Sequence, residues 1–492
     1  MILRILFAAT LLIAIGASAV AAPTAVAIVL KDQISLRAEP RDPAASHAVL
    51  SQGEMVEVRG ERMDYLQVYD YRRERAGFVR ADEARRLTLT AEESPTLHTI
   101  VRFLQSMPGS EALGIGYAAA YIQAAPVAAL TSSEGIDVLD ALGTMADRLA
   151  QRASNGSTRS QTAQTALSGH LETATRHGVA FTNFQRNGRV QICYDGDAFR
   201  RVLAMASMPE QRARAALALT QLDCAGDETN PMELKRVNEW RSDILDRVDA
   251  EKLPGYLKNR ILMRRAAIWS SLAYQRARQG EAADVAAQRA LQALSGINKN
   301  DLADADSQIY NIAAMRVNAS RWAAAPQPIG SARHLSVVTI PGQPGETCVL
   351  LVNQTHDVEH PLAKRCTFSI VWPASATTNR EGTAVALAVQ PTDTWRELWV
   401  FRKSGTEWAV HVLPPATTMP EIGYSEFAGW VPGGSQILVA REAIGEGKYR
   451  RSFEQLSLDS RGIVKQASNP NLLSAFRRWQ DAQWKTQTLS MR

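Results

Sequence analysis

The sequence predicts a multidomain chain: a small β-barrel or roll, then an all-helical domain of helical hairpins, then an antiparallel β domain. Three observations carry this expectation. The 492 residues correspond to about three domains at roughly 150 residues each. Apolar residues alternate with period two up to Leu87, recur every three to four residues from Leu97 to Ala325, and alternate again to about Ile463. Hydrophobic residues make up 46% and charged residues 21%, which excludes disordered and fibrous classes. The net charge of +5 comes from 55 basic and 50 acidic residues, an excess too thin and scattered to imply a nucleic-acid partner.

The first element is a secretory leader at residues 1–21. Arg4 precedes an apolar run from Ile5 to Ile15, and small residues at Ala17, Ala19 and Ala21 offer cleavage sites, with cleavage expected after Ala21. The run is too short for a membrane span, and no Cys occurs before Cys193. The expected compartment is therefore periplasmic or secreted, with no transmembrane segment after cleavage. Leu113–Leu130 reads as a buried helix pair. Four cysteines, Cys193, Cys224, Cys348 and Cys366, predict two disulfides in an exported chain. Three pairings are possible, and the short loops favour Cys193 with Cys224 and Cys348 with Cys366. Neither pair has zinc-finger spacing, so no structural metal is expected.

The β-roll at residues 25–87 rests on short β-rich runs between turn residues: Ile34–Ala38, Met55–Arg59, Tyr65–Tyr69 and Gly77–Arg80. In order, Leu36-Arg37-Ala38-Glu39-Pro40, Gly53-Glu54-Met55-Val56-Glu57-Val58, Tyr65-Leu66-Gln67-Val68 and Gly77-Phe78-Val79-Arg80 resemble the four signature segments of the bacterial SH3-like domain. The chain departs from that family by placing Tyr65 and Phe78 where Trp is usual. The resemblance implies binding, to cell-wall peptidoglycan or to another envelope protein, and no catalysis. Candidate ligand-binding residues are Tyr65, Tyr69, Tyr71 and Phe78. Core packing is the expected role of Tyr65 and Phe78, which leaves Tyr69 and Tyr71, alternating with Asp70, as the contact candidates.

The helical domain at residues 95–325 is punctuated by breakers such as Ser106–Gly109 and Leu253-Pro254-Gly255. Within Leu257–Gln279, the apolar positions Leu257, Ile261, Ile268 and Leu272 share a face, Arg264 and Arg265 fall beside them, and Gly280 supplies a stop. With the next helix, Ala282–Leu294, this pair resembles a tetratricopeptide unit through Trp269, Leu272, Ala273, Gly280, Ala290 and Leu291. One β-hairpin interrupts the helices at 179–193, turning at Asn187-Gly188. Farther on, Ser207 is the expected cap of a helix that has Pro209 in its first turn.

After the linker Ala324–Gly330, residues 331–465 read as a β domain containing a repeat. Trp372, Thr383–Leu387 and Arg396–Phe401 are echoed, the tryptophans 58 residues apart, by Trp430, Gln436–Val439 and Arg451–Leu456. The Trp430-Val431-Pro432-Gly433-Gly434 turn followed by an apolar strand resembles blades of TolB-type β-propellers. Two copies and a further strand group, His334–Asn353, make at most three blades, fewer than a closed ring requires. The expectation is an incomplete, propeller-like domain. Residues 470–492 form a C-terminal helix and tail, with Leu472, Phe476, Trp479 and Trp484 near one side of a helix that docks on the sheet.

His356-Asp357-Val358-Glu359-His360 satisfies the H-x-x-E-H zinc-protease pattern, which works on a helix. Here it follows a strand and precedes Pro361, a loop context. Gly114-Ile115-Gly116 follows no strand, so packing by small residues is its expected role rather than dinucleotide binding. No nucleophile elbow or phosphate loop occurs. The sequence thus reads as an exported, non-enzymatic envelope protein without a cofactor, its whole chain resembling an exported bacterial protein. The alternative is a metal-dependent envelope hydrolase using His356, Glu359 and His360.

Overall fold

The computed structural model describes residues 25–155, 160–186, 189–224, 230–326, 335–416, 421–445 and 447–487. The expected leader and the expected Asn187-Gly188 turn lie outside them. The architecture is multidomain, with an N-terminal antiparallel sheet, a helical region and C-terminal antiparallel sheets. It divides into two compact units: the first runs to Asn183 and includes Val190–Arg201, and the second comprises Phe184–Arg189 and everything from Val202. The helical stretch expected at 95–325 is thus shared between the units.

In the first unit, β1 (Val26–Val29), β2 (Ile34–Arg37), β3 (Ser46–Leu50), β4 (Met55–Arg62), β5 (Tyr65–Asp70), β6 (Arg75–Arg80) and β7 (Ala84–Leu87) form one sheet. Its order is β3-β2-β6-β5-β4-β1-β7. All seven strands contribute to one core: Ala27, Val29, Ile34, Leu36, Leu50, Val56, Leu66, Val68, Val79 and Ala84. A sheet that buries one face in its own cluster is curled; β3 and β7 remain its edges, and no closed barrel forms among the described residues.

The helices that follow are α1 (Ser94–Gln105), α2 (Glu111–Ala124), α3 (Val127–Leu130), α4 (Ser133–Ser154) and α5 (Gln161–Arg176), of which α2 and α5 meet the roll. The tightest approach joins the β3–β4 turn to α2. Gly53 has φ +84°, and a Cβ there would lie 2.3 Å from the Ala112 carbonyl oxygen; a Cβ on Gly116 would lie 2.7 Å from the Gly53 oxygen. Two glycines therefore let backbone meet backbone, which matches the small-residue packing expected of Gly114–Gly116. Around the turn, His177 Nε2 donates to the Gly53 oxygen at 2.9 Å, and buried Glu54 pairs with Arg73 at 2.9 Å and Arg176 at 3.1 Å. His170 Nε2 lies 2.9 Å from Asp32 Oδ1, which also receives the Gln52 N–H. Burial, more than any other influence, pushes the His177 imidazole below its ordinary value. The expected second helix of Leu113–Leu130 shrinks to the single turn α3, where Val127 is 81% exposed, because Pro126 breaks the run after α2.

The strands β8 (Phe181–Arg186) and β9 (Arg189–Tyr194) form a two-stranded sheet at the expected hairpin, and α6 is Asp197–Ala204. Next come α7 (Pro209–Leu219), α8 (Pro231–Asp246), α9 (Gly255–Arg278), α10 (Asp284–Ser295) and α11 (Asp304–Ser320). The cap of α7 is Met208, whose N–H reaches Gln211, while Ser207 Oγ instead donates to the Val202 carbonyl. Leu257, Ile261, Ile268 and Leu272 of α9 are buried in the helical core as the periodicity predicts. Arg265 satisfies the Leu245 and Val248 carbonyls at the end of α8.

The β region of the second unit is a stack. A three-stranded sheet contains β10 (Ser336–Pro341), β11 (Thr347–Val352) and β12 (Ala363–Thr367). The repeat is realised as two four-stranded antiparallel meanders, β13 (Ile370–Thr378), β14 (Ala384–Thr392), β15 (Trp395–Ser404), β16 (Glu407–Leu413), and β17 (Ile422–Val431), β18 (Gln436–Gly445), β19 (Lys448–Ser457), β20 (Ile463–Ala467). A short parallel pairing, Trp395 with Gly423 and Arg396 with Tyr424, joins them into one eight-stranded sheet. Val385, Leu387, Trp399 and Phe401 pack toward β11. Their alternates Ala384, Ala386, Leu398 and Val400 pack against Phe427, Ile437 and Val439 of the second meander. Leu438, Ala440 and Phe453 then pack on α11 and the C-terminal segment. No closed propeller forms among the described residues.

The C-terminal segment folds as two short helices, α12 (Ser474–Trp479) and α13 (Ala482–Gln487), rather than one. The break arises where the Asp481 N–H joins the Ala428 carbonyl at 2.7 Å and the Asp481 carboxylate caps α13 through the Gln483 N–H. Phe476 and Trp484 bury edge-on against Phe453, whereas Leu472 and Trp479 stay exposed. Between α11 and the stack lies a buried charged latch. Glu426 pairs with Arg321 at 3.1 Å and with Arg396, and against the upward push of burial these two guanidinium groups hold its carboxyl below the usual range.

All four cysteines are disulfide-bonded, one bridge being Cys348–Cys366. Two disulfides fit an oxidising compartment. Among the described residues, no helix is long and apolar enough to cross a membrane.

Candidate functional site

The outer face of the N-terminal roll brings the predicted aromatic residues together. In β5 the inward residues are Leu66, Val68 and Asp70, and the outward ones are Tyr65, Gln67 and Tyr69. Register places Phe78 of β6 opposite Gln67, and Arg80 opposite Tyr65. On the other side, Glu57 of β4 lies opposite Tyr69. Tyr65, Tyr69 and Phe78 therefore share one face, and Tyr71 follows at its rim, just past the end of β5.

The four aromatic residues differ in exposure. Tyr65 is buried, its hydroxyl donating to Asp42 Oδ1 at 2.7 Å, while Arg80 reaches the same carboxylate at 2.9 Å. This hydrogen bond pushes the Tyr65 phenol up and the Asp42 carboxyl down. Tyr65 thus anchors the face, and Phe78 is half-buried beside it. Tyr69 is half-buried, whereas Tyr71 is 68% exposed; their rings meet edge to face at 4.9 Å. The Arg59 guanidinium lies 3.8 Å over the Tyr69 ring and is held there by Glu57 at 2.8 Å. That carboxylate also raises the Arg59 pKa. Arg59 and Glu57 did not emerge as site residues from the sequence, although the alternation Val56-Glu57-Val58-Arg59 places both outward.

This arrangement presents one open aromatic edge, one ring already covered by a cation, and a carboxylate. It suits a flat, partly apolar ligand with polar edges, where ring contacts and a cation contribute about 0.5–2 kcal/mol each.

The H-x-x-E-H residues occupy the loop context expected for them, between β11 and β12. Asp357 Oδ1 accepts the backbone N–H groups of Glu359 and His360 at 3.0 and 2.9 Å, an Asx-type turn. His356 engages Asn353, and the His360 side chain is exposed. Among the described residues, these three side chains do not converge as metal donors; the donor group that does converge is Glu346, Cys348 and Cys366.

No known family, curated protein or solved structure matches the chain.

Proposed function

We propose that the protein is an exported, non-enzymatic component of the cell envelope, periplasmic or secreted, whose SH3-like roll contacts wall peptidoglycan. In this reading the tetratricopeptide-like helices and the propeller-like stack serve as a scaffold for protein–protein interaction. The observation that carries it is the Tyr69–Tyr71 pair with Arg59 stacked over it, the most exposed aromatic grouping on the roll. Sugar rings have apolar faces and hydroxyl edges, which match ring edges flanked by a guanidinium and a carboxylate.

Sedimentation of the full chain with purified peptidoglycan tests this. Wild type should co-sediment, and Tyr69→Ala with Tyr71→Ala should lose most of that retention while keeping the far-UV signature of the folded chain. Retention unchanged in the double variant excludes this face as the wall contact. Absence of wild-type retention, with capture of another envelope protein through the same tyrosines, moves the reading to a protein ligand.

A further inference from the structure

A second chemistry lies at the start of β11. Cys348 and Cys366 are direct partners in the β11–β12 register, and β12 is an edge strand. Glu346 stands two residues before Cys348, and its carboxylate oxygen lies within 4.8 Å of both sulfurs. That carboxylate is fixed: Glu346 Oε2 accepts the Gln343 N–H at 3.0 Å, and the turn closes through Gly342 N–H to the Glu346 carbonyl at 3.0 Å. Gly342 keeps the space between the donors open. A Cβ there would lie 2.4 Å from Glu346 Oε2 and 3.1 Å from Cys348 Sγ.

We propose that Glu346, Cys348 and Cys366 form a thiol-gated site for a soft divalent cation such as zinc, closed while the disulfide is intact and opened by its reduction. A dithiol reductant supplies two electrons and two protons; the S–S bond breaks, two thiols form, and the reductant becomes its own disulfide. Zn²⁺ then replaces the two thiol protons, which leave to solvent, and gains two thiolate bonds and one carboxylate bond. Water takes the fourth tetrahedral position. The two cysteines sit directly opposite on neighbouring strands with Cα atoms 3.8 Å apart, so once the bridge opens both thiolates can reach one cation through Zn–S bonds of about 2.3 Å. Cys366 is half-buried on its edge strand, so a reductant can approach that sulfur.

The test uses the full chain, oxidised or reduced with a phosphine that is then removed, titrated with Zn²⁺ and, for its thiolate charge-transfer band, Co²⁺. Reduced wild type should bind one more equivalent than reduced Cys366→Ser and show the cobalt band, whereas oxidised wild type should show neither. Glu346→Gln should weaken the site about tenfold or more. Equal zinc binding by reduced wild type and reduced Cys366→Ser overturns the proposal, as does equal binding by the oxidised chain or full affinity in Glu346→Gln. Circular dichroism of each reduced variant keeps loss of fold distinct from loss of a ligand. Peptidoglycan retention is not involved, so either proposal can fail without the other.

Discussion

The N-terminal roll and the C-terminal stack are both antiparallel, yet they spend their faces differently. In β5, inward Leu66 and Val68 alternate with outward Gln67 and Tyr69, and the outward side on β4–β6 remains open. In β14, every residue from Ala384 to Val389 is buried, with alternate side chains packing on opposite neighbours. The first pattern leaves a surface free to hold a ligand. The second converts both faces into core and leaves only edges and turns for chemistry, which is where Glu346 and the H-x-x-E-H loop lie.

The largest expected effect is on the two-faced region. Phe453→Ala removes a ring that meets Phe476 and Trp484 and should cost about 3–5 kcal/mol, measured as a lowered denaturation midpoint of the second unit. Phe78→Ala on the roll should cost far less; equal costs would break the comparison. Glu426→Ala leaves Arg321 and Arg396 buried without their shared carboxylate and should cost about 3–5 kcal/mol, read in the same unfolding experiment.

Next is the seam where the roll meets α2. Gly53→Ala demands a side chain 2.3 Å from the Ala112 oxygen and should destabilise the first unit by about 1–3 kcal/mol from overpacking alone, seen as faster proteolysis between roll and helices. The same seam has an acid limb. The folded His177 pKa lies below the ordinary 6.5, so below neutrality the unfolded state binds more protons. Its contribution is complete above 6.5 and is lost as pH falls through that value toward the folded pKa. His177→Gln should flatten this limb in unfolding midpoints measured between pH 8 and 5, and an unchanged slope would assign it elsewhere. The smallest effect is at the rim, where Tyr71→Ser should change stability by less than about 0.5 kcal/mol while reducing wall retention.

Local pattern made much of this architecture legible. Alternation around Tyr69 separated outward from inward positions, four-residue spacing identified the buried face of α9, and the echo from Trp372 to Trp430 marked two equivalent meanders. What escaped depends on distant partners. Arg59 became part of the site only when the register shift after Val58 in β4 set it over Tyr69, and Glu54 meets Arg176 across more than a hundred residues. The split between α12 and α13 follows from the Asp481 bond to β17, a tertiary contact that no helical periodicity encodes.

The strand order of the roll also dictates an order of assembly. β1 sits between β4 and β7, so the first strand of the roll waits for two later ones, the last pairing Val26 with Leu87. Each meander of the stack instead pairs neighbours largely as they emerge. Closing a long loop carries its entropic cost before any contact repays it, which makes the roll the slower element to complete although it is translated first. A chain stopped short of Leu87 would hold β1 with one edge unpaired, the state most open to association with a second chain.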